Sequence, residues 1–91
     1  MVTVPWNIAW TQAALKDRNR IEQSPYLNKA KSLIAVIRED PYKKPPNFER
    51  LQGDFLGAYS RRINIQHRLV YQVLESEHTI KILSIWGHYE Q

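Results

Sequence analysis

Three side chains in the second half of this 91-residue chain could together cut RNA without a metal ion. Glu49 offers a carboxylate, Arg68 a fixed cation and His88 an imidazole. Cleavage by the 2′-hydroxyl of RNA itself needs a base for that proton, an acid for the departing 5′-oxygen, and cations beside the phosphate. Imidazole has an unperturbed pKa of about 6.5, so His88 can exchange a proton at cellular pH.

A second arginine could share the face of Arg68. Arg61 and Arg62 are neighbours in a predicted strand, so their side chains point to opposite faces of the sheet. A two-residue loop to the next strand would place Arg61 on the face of Arg68. A three-residue loop at 64–66, or a bulge, would place Arg62 there instead. The remaining arginine would support the structure or contact a partner.

Each candidate also has an ordinary interpretation. Glu49 could be a surface residue paired with Arg50, and His88 a terminal residue with no task. Tyr89 could stack on a base or bind a phosphate, or simply close the core. Tyr71 lies within an apolar strand and is expected in the core.

Composition predicts a single small domain over residues 1–91. The chain is 43% hydrophobic with three Trp and five Tyr, which favours a folded globule. It has no cysteine, and its three histidines lack helical ligand spacing, so we expect neither a metal nor a cofactor. A net charge of +4 favours phosphate polyanions or an acidic protein partner.

No targeting signal is evident in the sequence. Residues 1–6 lack the basic flank and the apolar run of a signal peptide. No segment approaches the ~20 apolar residues that cross a bilayer. We therefore expect a soluble cytoplasmic protein without membrane contact.

The remaining patterns predict an α+β fold. Alternating apolar residues predict a strand at 5–10, and Thr11 can cap a helix that runs to about Ile21. Ser24 as N-cap and Pro25 in the first turn predict a second helix, which ends at 40–41 before a proline-rich loop at 41–47. Three strands at 58–64, 67–74 and 79–86 have hairpin-length connectors and predict an antiparallel meander, with the helices on one face of the sheet.

The order of these residues resembles a known family. Ser-Arg-Arg-Ile at 60–63, His-Arg-Leu-Val-Tyr at 67–71 and the His-Tyr pair at 88–89 are similar to the YoeB/Txe toxins of the RelE/ParE superfamily. The likeness is strong from 49 to 89. Gln52 and Trp86-Gly87 stand where some relatives have basic residues, which affects codon preference and cleavage strength more than the type of reaction.

The resemblance implies a function and a role for each candidate. It implies a RelE-like fold and a toxin that cleaves mRNA in the ribosomal A site, with Glu49 as general base and His88 as general acid. Arg68 would hold the scissile phosphate, with Arg62 and Tyr89 binding substrate. It also implies an acidic YefM/Axe-like antitoxin, a homodimer, and contact with operator DNA only through the antitoxin complex.

Two other functions remain open at this point. A ParE-like toxin that is not a nuclease would not need Glu49, Arg68 and His88 together. A catalytically silent RNA-binding module or corepressor would need only the arginines.

Overall fold

A computed structural model of the protein describes residues 4–86, which include two α-helices and five strands. The order of the elements confirms the predicted α+β arrangement, although the strands predicted to end at 64 and 86 end at 62 and 84. In chain order the elements are β1 (Asn7–Trp10), α1 (Gln12–Glu22), α2 (Leu27–Glu39), β2 (Glu49–Arg50), β3 (Ala58–Arg62), β4 (Arg68–Leu74) and β5 (Thr79–Ser84).

The strands form one mixed sheet in the order β1-β5-β4-β3-β2. Antiparallel pairing of β3 with β4 and of β4 with β5 gives the predicted meander. Two pairings were not predicted: β1 runs parallel to β5, and the two-residue β2 pairs antiparallel with β3. β2 places Glu49 opposite Ser60 at the edge of the sheet.

The two helices begin differently. Thr11 caps α1 as predicted, because its Oγ1 accepts a hydrogen bond from the Ala14 amide at 3.1 Å. The prediction that Ser24 caps the second helix is wrong. The Ser24 hydroxyl donates to the Ile21 carbonyl at 2.8 Å and accepts from the Tyr26 amide, so it stabilises the turn between the helices, and α2 begins at Leu27.

The helices cover one face of the sheet and leave the other open. Buried residues from α1, α2, β4 and β5 form the main core between the two layers. The open face carries a small apolar cluster of Leu51, Ala58, Val70 and the partly buried Leu83. The core consists of Ala14, Ile21, Ala30, Leu33, Ile37, Ile63, Leu69, Tyr71, Ile80, Ile82 and Ile85.

No helix within residues 4–86 is long and apolar enough to span a membrane.

Candidate active site

A buried arginine fixes the loop that leads to the candidate base. Arg61 is 0% exposed, and its guanidinium donates three hydrogen bonds. Nε donates to the Tyr71 hydroxyl at 2.9 Å, Nη1 to the Pro46 carbonyl at 2.6 Å and Nη2 to the Pro41 carbonyl at 3.1 Å. A buried cation is tolerated when its donors are satisfied in this way. Arg61 therefore joins both ends of the proline-rich loop to β3.

Tyr71 and Phe48 complete this buried cluster. The Tyr71 hydroxyl donates to the Pro41 carbonyl at 2.7 Å, and burial raises the pKa of Tyr71, so the hydroxyl keeps the proton that it donates. Tyr71 is 0% exposed, as predicted for a core residue. The Phe48 ring lies 4.9 Å from the Arg61 guanidinium. Phe48 directly precedes Glu49, so this packing anchors the start of β2.

The hairpin between β3 and β4 decides which arginine faces the open side of the sheet. The Ile63 amide donates to the His67 carbonyl at 2.9 Å, so the connection is the three-residue loop at 64–66. Asn64 Oδ1 accepts from the His67 amide and closes this loop. Arg62 consequently lies directly opposite Arg68, on the open face. Two like charges placed opposite each other repel, so this pair favours a bound anion.

Glu49 lies beside Arg68 on the same face. Glu49 Oε1 lies 3.8 Å from Arg68 Nη1, so Glu49 forms an ion pair with Arg68. The Glu49 side chain is 61% exposed and that of Arg68 only 19%. Arg68 Nη1 also lies 3.5 Å from the Ser60 hydroxyl, at the limit of a hydrogen bond. The sheet thus presents an accessible carboxylate next to a restrained cation.

These side chains line an open cavity of about 430 Å³, to which Lys29 of α2 also contributes. A cavity of this size falls in the range of small-ligand sites. Its wall holds three cations and one carboxylate, so it favours an anionic ligand. The lining residues are Lys29, Pro46, Asn47, Glu49, Ser60, Arg62, Ile63 and Arg68.

The structure brings together three of the five predicted site residues and adds others. Glu49, Arg62 and Arg68 share the cavity, whereas His88 and Tyr89 lie outside the described residues. Sequence reasoning identified neither Asn47 nor Lys29 as a site residue. No local pattern marks either residue, because each reaches the cavity only through the packing of loop 41–47 and α2 against the sheet. Within residues 4–86, no group of histidines and carboxylates is arranged to hold a metal ion.

Sequence comparison places the chain among bacterial toxins. Residues 10–89 match the family described as "YoeB-like toxin of bacterial type II toxin-antitoxin system". A toxin YoeB from Synechocystis is 33% identical over 86 residues, which is 92% of this chain and 98% of the relative.

Solved structures show the same fold. A YoeB/ParE toxin from Agrobacterium tumefaciens superposes with a TM-score of 0.83 at 28% identity, over 91% of this chain and 99% of that one. A YoeB-YefM complex from Staphylococcus aureus gives 0.77 at 34% identity, over 92% and 98% of the two chains. A YoeB dimer from S. aureus gives 0.79 at 33% identity, over 93% and 99%.

Proposed function

The chain belongs to the YoeB-like family of bacterial type II toxins, and we propose that it is a ribosome-dependent endoribonuclease that cuts mRNA in the ribosomal A site. The observation that carries this proposal is the placement of Glu49, Arg62 and Arg68 in one open cavity. A carboxylate beside two cations meets the needs of an attacking 2′-hydroxyl and of the phosphate that it attacks. The requirement for the ribosome rests on the family resemblance.

The reaction begins at the exposed carboxylate. Glu49 accepts the proton of the 2′-hydroxyl as its oxygen bonds to the adjacent phosphorus. The bond from phosphorus to the 5′-oxygen then breaks, and the departing oxygen takes a proton from His88. The products are a 2′,3′-cyclic phosphate and a 5′-hydroxyl. Arg68 and Arg62 stabilise the negative charge that grows on the phosphate oxygens in the transition state.

Primer extension on mRNA after induction of the protein tests this function. We expect new 5′ ends at discrete codons within translated reading frames, and none when translation initiation is blocked. Growth arrest without new mRNA ends would favour a ParE-like toxin that is not a nuclease. If neither growth arrest nor new mRNA ends appear, a catalytically silent RNA-binding module would be favoured.

His88 is proposed as the acid because the His88-Tyr89 pair matches the His-Tyr ending of YoeB-type toxins, in which the histidine is the general acid. An imidazole can donate a proton at cellular pH. Tyr89 would follow His88 as a substrate contact.

Replacing His88 by Gln should lower the cleavage rate by about 10²–10⁴-fold, because the 5′-oxygen would leave without a proton donor. The measurement is single-turnover cleavage of mRNA on purified ribosomes. His78→Gln is the matched control, since His78 stacks on Trp6 away from the cavity. Wild-type rates for His88→Gln would assign the acid to another group.

Replacing Arg68 by Ala should reduce cleavage far more than ribosome binding. Its proposed role is to stabilise charge that appears only in the transition state, whereas binding draws on many basic residues. The test compares the single-turnover rate with ribosome affinity at one salt concentration. An equal loss in both quantities would make Arg68 a general electrostatic contact, with Arg62 the next candidate for the catalytic cation.

The proposed partners follow from the family and from the charge. A YefM/Axe-like antitoxin with an acidic segment would neutralise the basic open face, and operator DNA would be contacted through that complex. YoeB of S. aureus is solved both with YefM and as a dimer, which supports an antitoxin partner and a homodimer here. With such a substrate and such partners, the protein would act in the cytoplasm.

A further inference from the structure

Lys29 gives the cavity a third cation, from the helical layer rather than from the sheet. Arg62 and Arg68 reach the cavity from β3 and β4, whereas Lys29 comes from the first turn of α2. Lys29 is exposed, and within residues 4–86 no carboxylate lies within 4.0 Å of it. Its charge is therefore available to a ligand in the cavity.

The volume of the cavity exceeds the needs of one phosphate group. A space of about 430 Å³ can hold a sugar and a base as well. Pro46 and Ile63 give its wall apolar surface, and the Asn47 amide can both donate and accept hydrogen bonds. The cavity thus has the mixed lining that a nucleotide requires.

We propose that this cavity holds the nucleotide whose 2′-hydroxyl attacks, and that Lys29 binds the phosphate on the 5′ side of that nucleotide. This inference rests on the proposed function. Glu49 must touch the 2′-hydroxyl, so the attacking ribose lies in the space that Glu49 lines. The scissile phosphate on its 3′ side lies with Arg68 and Arg62. The 5′ phosphate is then the group left for the cation on α2.

Binding of non-cleavable mRNA tests the contact apart from catalysis. Ribosomes would carry mRNA with a 2′-deoxy nucleotide at the cleavage site. The phosphate on the 5′ side of that nucleotide would be either normal or replaced by an uncharged methylphosphonate. Lys29→Ala should weaken binding to the normal mRNA about fivefold. It should also lower the slope of log affinity against log salt by about 0.7, as expected for one lost phosphate contact.

On the methylphosphonate mRNA the same substitution should have no effect. Lys31→Ala is the matched control, because Lys31 is an exposed lysine on the same helix, about 200° around the axis and outside this cavity. An equal loss for Lys29→Ala on both mRNAs would overturn the inference and assign Lys29 to ribosomal RNA, and no loss on either would also overturn it. Failure of the wild type to cut normal mRNA would instead reject the proposed function, while the binding comparison could still be read.

Discussion

Replacing Glu49 by Gln should lower the rate of mRNA cleavage by about 10²–10⁴-fold, because the amide cannot take the proton of the attacking 2′-hydroxyl. The loss should appear in the single-turnover rate and relieve growth arrest on induction. The fold should be retained, since the Glu49 side chain is 61% exposed and its ion pair with Arg68 is a loose one of 3.8 Å.

Glu77→Gln is the control for this substitution. Glu77 is an exposed residue of the turn before β5 and does not line the cavity. It should cleave and arrest growth like the wild type. Full toxicity of Glu49→Gln would exclude Glu49 as the base, and a melting temperature far below that of the wild type would show that its role is structural.

The second large effect concerns stability. Replacing Arg61 by Met should destabilise the protein by about 3–5 kcal/mol, because the substitution removes three charge-assisted hydrogen bonds and leaves the Pro46 carbonyl without its Arg61 donor. The Pro46 carbonyl would lose the donor that lies at 2.6 Å, and the Phe48 ring would lose the guanidinium that lies 4.9 Å away. Such a loss is a large part of the total stability of a small domain.

Urea unfolding of Arg61→Met and Arg62→Met provides the comparison. Arg62 is the exposed neighbour on the opposite face, so its replacement should change the free energy of unfolding by about 0.5 kcal/mol at most. Equal midpoints for the two variants would contradict the anchoring role of Arg61. They would also remove the structural explanation for why one arginine of the pair is buried.

The sequence predicted most elements because their patterns are local. Alternation and turn residues identified the meander, and Thr11 marked the start of α1. The helix-start prediction at Ser24 failed because a serine can stabilise either the turn before a helix or its first turn, and here its hydroxyl binds the Ile21 carbonyl. β2 has only two residues, too few to show any alternation.

The site was less predictable because it depends on register and on packing between layers. Arg61 and Arg62 are chemically identical, and only the length of the hairpin loop determines which faces Arg68. The hydrogen bond from the Ile63 amide to the His67 carbonyl fixes the length of that loop. The hydrogen-bond acceptors around Arg61 explain why its guanidinium can be buried. Lys29 reaches the cavity from another layer, which no spacing along the chain encodes.

Analysis of the ends of ribosome-bound mRNA after cleavage tests the central claim most directly. The purified protein should convert mRNA on ribosomes into fragments with 2′,3′-cyclic phosphate and 5′-hydroxyl ends, and a single 2′-deoxy residue at the cleavage site should abolish the reaction. Glu49→Gln should leave the mRNA nearly intact at equal ribosome occupancy. Fragments with 3′-hydroxyl and 5′-phosphate ends, or cleavage of the 2′-deoxy mRNA, would show that water rather than the 2′-hydroxyl attacks and would contradict the account.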